Sequence, residues 1–580
     1  MLELIKRNLR YWRLLTPRKL VYLPVILSPQ EKRAIFFLLA ITLLSGISIF
    51  FRGYFQITKS IPDIGGIYME GMLKEPRNIN PVLSVQDADR DISRLIFSGL
   101  MTYAGNGELK PDLAEKFEIS SDGKTYTIFL RKEVKWHDGK PLKADDVLFT
   151  IQMIQNPLYR SPLRTNWQGV NAEKVDDYTL RLNLRTAYAQ FVENLTVGIV
   201  PKHLWQNINP EQAPLHELNL KPVGSGPYEF SKFKQNKDGT LSSYEVVRNS
   251  NYYREGPYLK KITFIFLGSV EEAVSELRRR RIEGFGPLAT EDAEKIGGDH
   301  ENYFLSMPRV FGIFFNRNRA RILEEKTLRE AFAYALNKKE IAAAVSQGGV
   351  VPIELAFPYG GASFATEGIT VYEFNPEKSK KILAAAGWKD ENADGVLERK
   401  KADSKKSEVI ELTFTLTTSD WPDLVRAAKI IKEELKEVGI NIDLDIKPFS
   451  ELESGVIRPR NFDLLLFGQV YGYEPDPFAF WHSSQVKDPG LNVAFYTSRE
   501  ADKLLEEARK ISASEKRVEK YRDLQKQIAK DLPAVFLYSQ LYLYALPTDI
   551  RGVNLEKISL PADRFNEINL WYKETKRVFK

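Results

Sequence analysis

There is no cysteine among the 580 residues, which excludes disulfides, thiolate metal sites, a cysteine nucleophile and a lipid-modified N-terminal cysteine. Histidine is scarce too. The five, His137, His203, His216, His300 and His482, show no metal-ligand spacing, and neither a Ser elbow nor a Gly-rich phosphate loop occurs. No Asp or Glu pair can be assigned to glycosidase-like hydrolysis, which leaves an exported carboxylate-dependent hydrolase as the last of the alternatives. The chain therefore reads as a non-enzyme, without catalytic, cofactor-binding or metal-binding residues. Excess positive charge is missing from most of it as well. The net +6 lies in the N-terminal arm, where Lys6, Arg7, Arg10, Arg13, Arg18, Lys19, Lys32 and Arg33 face only Glu3 and Glu31. The near-neutral remainder lacks the basic face of a nucleic-acid binder.

What is present is ordinary for a folded protein: 43% hydrophobic, 28% charged and a rather high 12% aromatic residues. A chain of this length exceeds one core, so several domains are expected. Between Arg33 and Arg52 runs "AIFFLLAITLLSGISIFF", uncharged and close to the roughly 20 residues that cross a bilayer as a helix. Residues 34–51 read as a transmembrane anchor preceded by a cytoplasmic basic arm, 1–33. The following "RGYFQITKS" offers no small-x-small cleavage site. Positive charge before the span places the N-terminus in the cytoplasm and everything after about Arg52 outside. "LVYLPVIL" (20–27) is too short and Pro-broken to span and reads as interfacial. No second spanning run follows, so residues from about 60 form one exported body, expected to be monomeric.

That body alternates strand-like stretches ("TYTIFLR" at 125–131, "YTLRLNL" at 178–184, "YEVVRN" at 244–249, "KITFIFL" at 261–267, "ELTFTLTT" at 411–418, "FDLLLFG" at 462–468) with helix-like ones (271–281, 326–345, 376–387, 424–439, 499–511). This is the α/β pattern. Asp390, Asn392, Asp394 and Gly395 imitate the opening of a calcium loop, but the twelfth position is Lys401, where such a loop needs a glutamate. A hairpin turn at Asp394-Gly395 is expected instead.

"VKWHDGKPLKADDV" (134–147) gathers His137, Asp138, Asp145 and Asp146 as an acid-base or metal site would. Each residue already has a structural task. Asp138-Gly139 and the earlier Asp122-Gly123 are tight-turn pairs. Asp145 and Asp146 open a helix carrying Val147, Ile151 and Ile154 on one face, where negative charge suits the N-terminus.

Seven stretches in order resemble the extracellular solute-binding proteins of dipeptide, oligopeptide and nickel ABC transporters, over about residues 67–545. They are "INPVL" (79–83), "LAEKFEISSDGKTYTIFLRKEVKWHDGKPLKADDV" (113–147), "PVGSGPYEF" (222–230), "RNSNYY" (248–253), "FFN" followed by "LREAFAYALNKKEI" (314–341), "KILAAAGW" (381–388) and "YEPDPFAFW" (473–481). The resemblance implies a bilobal, type II periplasmic-binding-protein-like α/β fold with an extra α/β domain, closing like a hinge on its ligand. Lobe I would comprise 60–100, 216–302 and 536–580, the extra domain 101–215 and lobe II 303–535. The implied partners are a peptide and ABC permease subunits. An oligosaccharide, a metal chelate or another small solute is the alternative cargo; a sensor or surface interaction protein is another role for the fold. The family's ligand-anchoring Asp falls here at Tyr473, which brings no charge, so a peptide ammonium must find Glu474, Asp476 or another carboxylate. Asn80, Gln469, Tyr471, Tyr473, Glu474, Asp476 and Trp481 are the candidate ligand-binding residues. Phe478 and Phe480 add further rings that could stack on a ligand or fill the core.

On this topology, protease added to intact cells should trim the large body and leave a small anchored fragment. Secretion of a mature chain beginning near residue 60 would overturn it.

Overall fold

The computed structural model describes residues 28–345, 349–358, 366–400, 409–511 and 514–580. The basic arm up to residue 27, its "LVYLPVIL" segment and Lys401 lie outside the described residues. Pro29–Ile57 forms one helix, longer than the expected span because no proline interrupts it before Ile57. Its Lys32–Ile57 portion is long and apolar enough to cross a membrane, and none of its most apolar stretch is buried. The helix runs straight into strand Thr58–Pro62, which pairs antiparallel with Thr575–Phe579 near the C-terminus. Arg577 closes this unit. It donates to Thr58 Oγ1 at 2.9 Å and lies 4.3 Å from the centre of the Phe55 ring. Residues 64–573 form the second compact unit.

Three larger sheets organise the second unit. The first has the order Gly65–Met72, Leu259–Phe266, Leu241–Arg248, Tyr228–Gln235, its first pair parallel and the rest antiparallel. The second is antiparallel, in the order Ala114–Ile119, Thr125–Leu130, Thr179–Leu184, Val170–Asp176. Both face one core, in which Tyr68 and Phe264 join Tyr126 and Leu180. The third is six-stranded and mixed: Val350–Pro352, Ala534–Pro547, His300–Phe315, Leu464–Val470, Thr413–Ser419, Asn441–Lys447.

Two long antiparallel strands, His300–Phe315 and Ala534–Pro547, belong to both halves. Leu305, Met307, Tyr542 and Tyr544 sit in the core of the first two sheets. Farther along, Ile313, Phe315, Val535 and Leu537 point to one face of the six-stranded sheet, and Val310, Phe314, Ala534 and Phe536 to the other, as the two-residue side-chain period requires. The register between the strands breaks between Ser306 and Val310. Pro308, inside that break, has no N–H for the ladder.

The expected strands are all present, and so are the helices, with one correction. The 326–345 stretch is not continuous but divides into Lys326–Ala335 and Lys338–Val345. Leu336 is extended (φ −98°, ψ 122°), Asn337 Oδ1 accepts the Glu340 N–H at 3.3 Å, and the Asn337 N–H donates to Glu434 at 3.0 Å. An asparagine cap starting a second helix outweighs the continuous apolar period. At Asp394-Gly395 the turn is as expected: Asp390 and Asn392 oxygens accept the backbone N–H groups of residues 394 and 395.

The 134–147 stretch is a turn and a helix start. The Trp136 carbonyl accepts the Gly139 N–H at 2.8 Å with Gly139 at φ 86°. Asp146 accepts the N–H groups of Lys143 and Lys202, both at 2.9 Å, and Asp145 pairs with Lys174. His137 accepts the Gly224 N–H at Nδ1 and meets the Gly226 carbonyl with Nε2, both at 3.1 Å. It thereby pins the "PVGSGPYEF" loop, whose Gly224 and Gly226 press on the Ile96 carbonyl where a Cβ would collide.

Arg564 sits at the centre of the first core, 1% exposed. It donates to Glu70 at 2.8 Å, to Asp91 at 2.6 Å and to the Pro561 carbonyl at 2.7 Å. The other Glu70 oxygen takes hydrogen bonds from Tyr68 (2.5 Å) and Tyr544 (2.7 Å). Burial pushes the Asp91 carboxyl up to about 6 against the opposing pull of Arg564.

Removing one member of a buried pair strands the other charge, so Arg564→Ala should cost about 3–5 kcal/mol, read as a lowered urea midpoint of tryptophan fluorescence. His137 supplies a pH test. Burial lowers its pKa from 6.5 to about 4, so the unfolded chain binds the extra proton between those values. Its contribution is complete above pH 6.5 and lost as pH falls toward 4. Wild type should lose stability across that window more steeply than His137→Asn, measured by thermal melting at stepped pH.

Candidate functional site

The seven residues singled out from the sequence separate into three groups. Asn80 is fully buried; its Oδ1 accepts the Val82 N–H at 2.9 Å and shapes the turn leading toward helix Asp87–Ile96. Gln469, Tyr471 and Trp481 form one buried network. The Tyr471 hydroxyl lies 2.7 Å from Gln469 Oε1 and 3.1 Å from the Ala356 carbonyl, and accepts the Trp481 indole N–H at 3.1 Å. All three are 4% exposed or less.

Tyr473, Glu474 and Asp476 form the accessible group. The Tyr473 ring packs on Tyr103 with centroids 4.0 Å apart and planes tilted 32°; its hydroxyl is 3.4 Å from the Lys557 carbonyl. Glu474 pairs with Arg517 at 2.7 Å. Asp476 is gripped by Arg509 through Nε, at 3.1 and 3.2 Å, and through Nη2. The Arg509 guanidinium also stacks 3.7 Å from the centre of the Phe478 ring, so both acids of the loop are already neutralised.

A carboxylate from elsewhere reaches the same loop. Glu193, in the 3-10 turn Ala189–Thr196, accepts the Glu474 backbone N–H at 2.6 Å and lies beside the Tyr103 hydroxyl. Burial pushes its pKa up to about 7, with that N–H pulling the other way. Glu193 also borders a cavity of about 380 Å³ walled by Arg90, Arg94, Phe97, Trp167 and Leu560, within the size range of small-ligand pockets. Sequence reasoning did not single out Glu193 or Tyr103. The one signal was a lone carboxylate inside the apolar run "QFVENLTVG". Among the described residues no group of three or more His, Asp or Glu is arranged to hold a metal ion.

This chemistry provides rings, a cavity and a buried carboxyl group, which suits binding. The comparisons agree. The model of bacterial extracellular solute-binding proteins, family 5 (middle region), matches residues 108–490. The oligopeptide-binding protein AppA of Bacillus subtilis (strain 168) is 31% identical over 501 residues, covering 85% of this chain and 89% of the relative. The structure of AppA with a nonapeptide superposes with a TM-score of 0.66 at 28% identity, covering 88% of this chain and 99% of that one. NikZ from Campylobacter jejuni in complex with Ni(L-His) gives 0.67 at 26% identity, covering 87% and 99%. The fold is the α/β periplasmic-binding-protein type expected. Since the matched region spans well over half of its length, the chain belongs to the bacterial extracellular solute-binding proteins of family 5.

Proposed function

We propose that this protein is the substrate-binding component of an ABC import system, capturing peptides outside the membrane and delivering them to permease subunits by hinge closure. The similarity to oligopeptide-binding AppA over 85% of the chain carries the reading. The two long strands with their break at 306–310 suit a hinge, because few residues there have to change backbone angles. In this reading lobe I is 60–100, 216–302 and 536–580, the extra domain 101–215 and lobe II 303–535. Tyr473 meets the cargo with its ring, and Glu474 and Asp476 through the backbone of their loop while their carboxylates stay paired with Arg517 and Arg509; Gln469, Tyr471 and Trp481 hold the loop from beneath, and Asn80 shapes the opposing turn. The Pro29–Ile57 helix stays as a single-pass anchor. Contacts from the C-terminal strand to the last turn of the helix support retention: Arg577 lies over the Phe55 ring and the Lys580 N–H donates to the Ile57 carbonyl at 2.9 Å. The exported body acts as a monomer, with binding and no covalent turnover.

A metal chelate is the second reading, favoured by the Ni(L-His) complex of NikZ. Mass spectrometry of small molecules released from the denatured protein separates the two. With the cargo in hand, ligand should bind one-to-one and compact the 64–573 unit in small-angle scattering, and an unchanged radius at saturation would count against closure. Tyr473→Ala should weaken binding by roughly five- to a hundredfold, the loss of a stacked ring and a phenolic hydrogen bond; unaltered affinity moves the pocket elsewhere.

A further inference from the structure

We propose that Glu193 is the carboxylate that holds the ammonium of the bound cargo, in place of an acidic side chain from the 471–481 loop. This rests on the reading that peptides are the cargo. An ammonium withdrawn from water needs an anion within hydrogen-bond reach, and Tyr473 brings none. Glu474 and Asp476 are occupied by Arg517 and Arg509, and a ligand taking either would strand a guanidinium, buried at Arg517 and part-buried at Arg509.

Glu193 is differently placed. It arrives from the Ala189–Thr196 turn, far from the loop in sequence, and one oxygen is oriented by the Glu474 N–H. The other occupies the space beside residue 472, where any Cβ would strike it, so Gly472 is what admits the carboxylate. Among the described residues no ion pair reaches Glu193. Arg517 acts on it only as a nearby charge, as does Lys557, whose ammonium lies 5.8 Å from the centre of the Tyr473 ring. Tyr103, Tyr188 and Glu474 complete the titratable surroundings. The result is a carboxylate oriented by a backbone N–H and held in no ion pair among the described residues, beside the Tyr103 and Tyr473 rings and on the wall of a cavity that Arg90 and Arg94 also line.

The test uses the full chain in detergent with two probes: a mixed library of short synthetic peptides with free amines, and the same library N-acetylated. Wild type should retain the free-amine library about ten- to a hundredfold better than the acetylated one, the value of a charge-assisted hydrogen bond. Glu193→Gln should abolish that preference, and Gly472→Ala, by displacing the carboxylate, should reduce it. Equal retention of both libraries by wild type, or a preference surviving in a folded Glu193→Gln, overturns the proposal while leaving peptide binding intact. Retention of neither library overturns the peptide reading and this one with it. Thermal melting reports whether each variant folds; should Glu193→Gln not fold, Gly472→Ala decides, and a free-amine preference left undiminished there overturns the proposal.

Discussion

Burying a guanidinium costs several kcal/mol unless carboxylates meet it in the same dry place, and Arg564 is met by two. Glu70 comes from the first strand of the first sheet, Asp91 from helix Asp87–Ile96, and the tyrosines completing Glu70 come from residues 68 and 544. Chain segments separated by more than 470 residues are thereby fixed in one arrangement. The constraint spreads along the helix. Asp89 accepts the N–H groups of residues 77 and 78 at 2.6 and 2.8 Å, and Arg94 pairs with Asp563 at 3.0 Å. Arg90 and Arg94 face the cavity that Glu193 borders. One wall of the candidate site is therefore held by the ion network of the core.

The long strands impose a second constraint. A strand pair that serves one core with residues 305–307 and another with 310–315 joins the two halves covalently and by hydrogen bonds at once. The register break in between keeps the ladder from being continuous. Packing is dense on either side of the break, and packed cores move as bodies rather than deform.

Features that depend on neighbours in sequence were legible. The turn at Gly139, the helix start at Ala144, the glycines ending helices at 387 and 439 and the alternating strands follow from local rules about φ, caps and period. The split at Leu336 was legible too, in the Asn337 cap, but the apolar period running through 326–345 masked it. Arg564 and Glu193 were not. In "PADRFNEINL" the arginine reads as an ordinary surface cation, because its partners stand more than 470 positions away. Glu193 belongs to no motif, and its meaning appears only when the turn carrying it meets the 471–481 loop.

That loop also shows why residue type alone misassigns roles. Tyr471 and Tyr473 are two positions apart and would share a face of a continuing strand, yet the strand ends at Val470 and Gly472 intervenes. Tyr471 turns inward to the Ala356 carbonyl, whereas Tyr473 turns toward Tyr103. The two acids that follow are folded back onto arginines of helices Arg499–Lys510 and Ser514–Asp531. Each pair keeps one partner substantially exposed or stacks its guanidinium on a ring, which lowers the desolvation cost of the pairing. The loop consequently offers rings and backbone rather than net charge. Selectivity for a charged cargo group then has to come from a side chain packed against the loop rather than from its own carboxylates.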